Sequence, residues 1–307
     1  MTSLERGAGK SRDAFVVEVA GVSVRVVSGD PSLRIAPGKA SRAFLTPPRE
    51  AGKEDLTLRV LAGDPSGLEK GISVFDSGGV WRLSVLRDGA SCYRFHDVRS
   101  GELPYKTLRL DPDGTEGAIV LDSGSLPGPG PIDPLEFPLD ELLFLTLLGR
   151  TGGLELHACG VRAPDGRGFL FAGHSGDGKT TMARLWEALP GAVVLSDDRI
   201  VVKEGPAGRW EMFGTPWHGE AELAANVRAE VAGIFVLGRG PRNRLGTMSR
   251  SEAVSALLAR SFPPFHASDG MSRALELLDR LSLAARVERF EVRPGPEAVE
   301  TVLTWGR

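Results

Sequence analysis

Eight consecutive residues, Gly173-His174-Ser175-Gly176-Asp177-Gly178-Lys179-Thr180, fit the pattern GxxxxGK[ST], and Thr181 follows directly. Each residue type there has a separate task. Glycine lets the backbone turn its N–H groups inward around an anion, Lys179 brings a point charge, and the Thr180 hydroxyl can ligate Mg²⁺. The chemistry they suit is binding of a nucleoside triphosphate, ATP or another nucleotide, with its metal ion. The four fixed letters would arise by chance in about one in a hundred such chains, and the flanking pattern weakens chance further.

Two acids follow at a short distance. Ala192-Val193-Val194-Leu195 reads as a short buried strand running into Ser196-Asp197-Asp198. In open α/β sheets ligands sit beyond the carboxyl ends of the strands, so both aspartates are expected near the phosphates and Mg²⁺. Neighbouring residues on an extended chain point opposite ways, and Asp197 is the one favoured to face the chemistry. A third cluster, Gly214-Thr215-Pro216-Trp217-His218-Gly219-Glu220, combines hydroxyl, aromatic, imidazole and carboxylate on one loop. It reads either as a binding loop or as a structural turn that packs Trp217.

The positioning elements are legible around these residues. Phe169-Leu170-Phe171-Ala172 is an apolar run before the loop, and Met182, Leu185, Trp186 and Leu189 mark one face of a helix after it. A strand, a loop and a helix in that order are what the motif requires. Pro190-Gly191 ends the helix. Upstream, residues 154–161 form the partner strand of a β-hairpin through Ala163-Pro164-Asp165-Gly166. With Asp165-Gly166 as a two-residue turn, paired positions sum to 331 and His157 lies opposite His174. His157 is then either a packed strand histidine or a residue near the phosphates.

Residues 1–13 read as a disordered tail, and 14–123 as a mostly β N-terminal domain of short alternating runs. The Gly/Pro-rich stretch 124–134 reads as a linker, leaving 135–307 as an α/β domain. Residues 139–149 are apolar nearly all round, the mark of a buried helix. Further strands are expected at 200–202, 210–213 and 234–237. Ser249-x-x-Glu252 predicts a capped helix to Ser261, Ser268-Asp269 precedes another to Ala285, and Pro296 opens the last.

Composition excludes several classes. The 307-residue chain is 41% hydrophobic with net charge −3, from 37 basic and 40 acidic residues interspersed, so no basic footprint for nucleic acid exists. No apolar run approaches the ~18 residues of a spanning helix, and the start is polar, which predicts a cytoplasmic protein that does not engage membranes. Cys92 and Cys159 are too few for a disulfide framework and too isolated for a metal cluster.

From about His157 to Leu237 the chain resembles the catalytic domain of HPr kinase/phosphorylase and the wider set of HPr-kinase-like proteins. The match rests on His157 before the loop, the loop Gly173 to Thr180, Asp197-Asp198 beginning 18 residues beyond Lys179, and the later glycine-containing loop with Glu220. The resemblance implies an α/β, HPr-kinase-like P-loop domain preceded by a mostly β N-terminal domain. It implies ATP- and Mg²⁺-dependent phosphoryl transfer to a hydroxyl, serine foremost, of a protein, peptide or small molecule. Asp197 would be the proton acceptor, acting with Lys179 and His157, and Thr180, Asp198 and Glu220 would surround the metal. The family's arginine-bearing signature loop has no evident counterpart here, so neither a phosphorylase half-reaction nor HPr as acceptor is implied. An ABC-type ATPase, for which no LSGGQ-like stretch is found, and a non-catalytic nucleotide-binding accessory or sensor remain as alternatives. The acceptor, the donor nucleotide and the oligomeric state, a homo-oligomer included, stay open at this level.

Overall fold

The computed structural model describes residues 13–49, 53–67, 71–97, 103–124, 126, 128, 130–264, 267 and 269–306. Nearly all of the expected tail, part of the expected linker and Ser268 lie outside them. The described residues form a strand-rich mixed α/β structure with two sheets and five α-helices. No helix among them is long and apolar enough to cross a membrane. Contacts divide the chain into two compact units, one holding residues up to Glu18 with Ser23–Phe137, the other Val19–Val22 with Pro138–Arg307.

The first unit is built on β1 (Ala14–Val19), β2 (Val22–Ser28), β3 (Leu56–Gly63), β4 (Ile72–Asp76), β5 (Trp81–Val85), β6 (Ser91–Phe95), β7 (Lys106–Leu110) and β8 (Glu116–Asp122). They make an eight-stranded sheet in the order β1-β2-β3-β8-β7-β6-β5-β4. The strands follow the β-branched runs visible in sequence, because alternation puts one side-chain set on a buried face. Val22, Val24 and Val26, for example, are all buried.

The second unit carries the phosphate-loop motif. In chain order it contains α1 (Leu139–Arg150), β9 (Gly153–Arg162), β10 (Gly168–Ala172), α2 (Lys179–Glu187), β11 (Val193–Ser196), β12 (Arg199–Glu204), β13 (Trp210–Gly214), β14 (Arg228–Arg239), β15 (Arg244–Thr247), α3 (Arg250–Leu258), β16 (Ser261–Phe262), α4 (Gly270–Ala284), β17 (Val287–Val292) and α5 (Pro296–Thr304). Pairings run β10-β9-β12-β13-β14 and return through a parallel β10–β14 pair, with β17 parallel to β14 on its far side.

Alternation along β10 splits the interior into two cores. Leu170 and Ala172 join Leu257, Leu278 and Leu281 of α3 and α4, whereas Phe169 and Phe171 join Met182, Trp186, Val299 and Val302 of α2 and α5. The loop helix therefore rests on an aromatic floor: Phe169 and Phe171 lie 5.8 and 6.1 Å from Trp186. Nearly all of α1 is buried, including the acid Glu141.

Several expectations change here. Paired positions of β9 and β10 sum to 330, so His157 faces Gly173 rather than His174, and the Gly173 N–H donates to His157 O at 3.2 Å. The turn holds three residues, closed by Ala163–Arg167 with Gly166 at φ +90°, a left-handed position that glycine takes without strain. The capping box at Ser249 and Glu252 forms, but the helix stops at Leu258 and Ser261–Phe262 pairs with β9 instead. The carboxy-terminal part is also not purely helical, since β15 and β17 extend the sheet between its helices.

Candidate phosphate-loop site

The loop leaves β10 at Gly173 and enters α2 at Lys179. Gly176 and Gly178 take φ values of +86° and +107°, and His174, Ser175 and Gly176 are exposed. No side chain caps the start of α2. Its first N–H groups, which no helix can pair internally, therefore have no side-chain cap, and an anion at the loop would complement them. Lys179 is buried, and its Nζ donates to the carbonyls of Gly173 at 3.1 Å and His174 at 3.2 Å. Burial lowers the Lys179 pKa, partly opposed by Asp198. Uncapped helix N–H groups, left-handed glycines and a folded-in lysine fit a nucleotide phosphate chain.

β9 lies between the loop strand and β11, pairing antiparallel with both. His157, on β9, therefore stands between the loop and the two aspartates. Its Nε2 is 2.9 Å from Asp198 Oδ1, and Lys179 Nζ is 3.6 Å from the same oxygen. Arg199 pairs with the other Asp198 oxygen. Burial would raise the Asp198 pKa, but the His157 hydrogen bond and the charges of Arg199, His157 and Lys179 outweigh it and hold the carboxyl below its ordinary value.

Asp197 behaves differently from the sequence expectation. It is fully buried, and its carboxylate accepts the N–H of Gly219 at 2.8 Å and of Ala221 at 2.9 Å. The pair sits in a bend, not on an extended strand. Asp198 turns toward Lys179 while Asp197 fastens the 214–221 loop. That loop is further held by Ser196 Oγ donating to Trp217 O at 3.1 Å, Thr215 Oγ1 donating to Arg199 O at 2.7 Å, and Trp217 Nε1 donating to Asp140 at 2.9 Å. A side chain at Gly219 would meet Asp197 Oδ2 at 2.8 Å and Asp198 Cβ at 3.2 Å, so only glycine permits this approach. Trp217 is packed, as the structural reading of the loop supposed, whereas His218 and Glu220 are exposed at its tip.

Among the described residues no cluster of three or more His, Cys, Asp or Glu side chains suits a metal ion. Mg²⁺ at phosphate sites usually keeps several waters and takes one or two protein oxygens besides the phosphates. Thr180, half-buried on the first turn of α2, fits that mode, whereas the two oxygens of Asp198 already face His157, Lys179 and Arg199, and Glu220 is exposed. Thr181 is exposed. Cys159 lies fully buried, with its thiol pushed up by burial and by Asp197, which makes it inert.

Comparison with protein-family models and with curated proteins finds no match. The site therefore stands on its own geometry.

Three arginines complete it, and none was singled out in the sequence. Arg199 pairs with Asp198, with Glu141 at 2.9 Å and with buried Glu155 at 3.3 Å, and its guanidinium lies 4.3 Å from the Phe262 ring centre. Arg239, at the end of β14, donates from Nε to Gly176 O at 2.9 Å. Arg260 comes within 3.8 Å of Asp177. A sequence signal existed for Arg239, which ends a strand parallel to the loop strand; Arg260 had none.

Glu155 gives the site a pH-dependent support. Neither of its oxygens makes a well-aligned hydrogen bond, although Arg199 is at ion-pair distance. Burial, then the neighbouring Glu141 charge, raises its pKa well above the ordinary carboxylate range. A carboxyl raised in the folded state contributes stability that is complete below the unfolded value of about 4.3 and is lost as pH rises toward the folded one. Glu155→Gln is expected to flatten that fall, which has a limiting slope of ~1.4 kcal/mol per pH unit. Urea unfolding of both proteins between pH 5 and 8 checks this; parallel slopes mean that Glu155 is ionised in the fold.

Proposed function

We propose that the protein binds a nucleoside triphosphate with Mg²⁺ at residues 173–181 and transfers its terminal phosphoryl group to a hydroxyl of a protein, peptide or small molecule. The observation that carries this reading is the convergence of Lys179, His157 and Asp198 at the loop, within 3.6 Å of one carboxylate oxygen. Phosphoryl transfer asks a protein chiefly for positioning and charge neutralisation. The loop amides and Lys179 hold the phosphates. Thr180 would hold Mg²⁺, which would supply further charge neutralisation when bound. Asp198, kept ionised by its cationic neighbours, accepts the proton of the attacking hydroxyl, and His157 fixes its orientation.

The same features support an HPr-kinase-like P-loop domain as the finer description of the second unit. In that family the first aspartate of the pair has the proton-accepting role, which corresponds to Asp197. Geometry favours Asp198, because both Asp197 oxygens are engaged by backbone N–H groups away from solvent.

Mg-ATP at ~100 times its dissociation constant should stabilise the fold by ~2.7 kcal/mol. Thermal melts with and without Mg-ATP are the first test, with Lys179→Ala expected to lose the shift. A wild-type protein that Mg-ATP does not stabilise, or a variant that it stabilises equally, overturns the nucleotide site. Labelled ATP incubated with serine-containing peptides then tests transfer. Binding without transfer to any hydroxyl acceptor would leave an accessory or sensor.

A further inference from the structure

Arg260 occupies an unusual position beside the phosphate loop. Along one edge of β9, β10 pairs as far as Ala172 opposite Ala158, and β16 takes over at Ser261 opposite Leu156. The phosphate loop departs from the edge in the gap between them. Arg260 fills that gap: its carbonyl accepts the His157 N–H at 2.7 Å, while the Gly173 N–H donates to the carbonyl of the same His157.

Its side chain is only 13% exposed. Nη1 donates to Ala256 O at 2.9 Å, the last-turn carbonyl one helical turn behind it. Nη2 stands 3.8 Å from Asp177 Oδ2, beyond hydrogen-bond distance, and that oxygen already accepts the His174 N–H at 2.7 Å. Nε is buried with no hydrogen-bond partner. A guanidinium taken out of water normally has its donors satisfied, because each unmade bond leaves a desolvation penalty uncompensated. Burial lowers the Arg260 pKa in keeping with that deficit, the nearby Asp177 charge only partly opposing it. Arg239 offers a contrast: it is exposed, and its Nε is already bonded to the loop carbonyl of Gly176. Arg239 braces the loop; Arg260 has donors in reserve.

We propose that Arg260 is a specificity-determining phosphate ligand, whose guanidinium leaves its loose contact with Asp177 to hold the terminal phosphate of a bound nucleoside triphosphate. The assignment rests on the nucleotide-binding reading of the loop. A planar fork of donors matches phosphate oxygens, and a cation on the terminal phosphate favours a triphosphate over a diphosphate because the diphosphate lacks those oxygens. The place is consistent with this: the loop's first residues, Gly173 and His174, provide the carbonyls that hold Lys179, and Arg260 stands next to Gly173 on the same edge of β9, both bonding the backbone of His157. Arg260 then acts with Lys179 from beside the loop, where its guanidinium already faces Asp177. The sequence motif does not include it.

Titration calorimetry of the full chain with Mg-ATP and with Mg-ADP separates the possibilities. Wild type should prefer Mg-ATP. Arg260→Ala should weaken Mg-ATP by ~10-fold or more while Mg-ADP changes little, and Arg260→Lys should restore part of the preference. Arg239→Ala should weaken both nucleotides alike. If Arg260→Ala does not fold, Arg260→Gln, which keeps most of the length and a donor for Ala256 O, carries the same comparison. Equal weakening of both nucleotides by Arg260→Ala, or no change in either, overturns the assignment and leaves Arg260 as a brace for Asp177. Failure of wild type to bind either nucleotide overturns the loop reading itself, a result distinct from loss of the ATP/ADP difference in a variant that still binds.

Discussion

Asp198→Asn is expected to slow phosphoryl transfer by ~10²-fold or more while changing Mg-nucleotide affinity little. The substitution preserves size but removes the charge that His157, Lys179 and Arg199 surround. Without that charge the attacking hydroxyl loses the carboxylate that stands beside Lys179 to accept its proton. Rate and affinity must be measured together. An unchanged rate refutes Asp198 as the acceptor, and a collapse of affinity in the presence of Mg²⁺ recasts it as a metal ligand.

Asp197→Ala should act on stability instead. Two N–H groups, of Gly219 and Ala221, lose their acceptor, and the loop they anchor carries Trp217 against Phe144, 5.7 Å between ring centres. Each unmade bond to a buried donor costs about 1–3 kcal/mol. Because Gly219 and Ala221 are half-buried and water can reach them in part, a total of about 2–4 kcal/mol is expected. Asp197→Asn keeps one carbonyl acceptor and should lose roughly half of that. Urea unfolding measures the loss, and a transfer assay run below the transition measures the rest. If Asp197→Asn retains full stability but loses transfer, the proton acceptor is Asp197, as the family resemblance implies, and the two aspartates exchange roles.

Much of the second unit was legible because its signals are local. The eight-residue loop is contiguous, Phe169–Ala172 and the Met182-Trp186 face flank it at strand and helix spacing, and the Ser249–Glu252 capping box spans four residues. Such signals depend on periodicity and on side chains bonding their own neighbourhood, so they survive without knowledge of the fold. The strands of the first unit were readable for the same reason.

Legible in the residues alone were therefore the GxxxxGK[ST] motif, the strand and helix that flank it, and the aspartate pair that follows a short strand. Tertiary structure decided which aspartate faces the loop, since the answer depends on N–H groups of residues 219 and 221 arriving from another connection. It also decided the hairpin register, through the left-handed residue Gly166, and the insertion of β9 between β10 and β11 that sets His157 beside Asp198. Arg199 and Arg260 were invisible for a related reason. A lone arginine has no periodicity, and its partner is chosen by whichever chain segment the fold brings within reach of its long side chain.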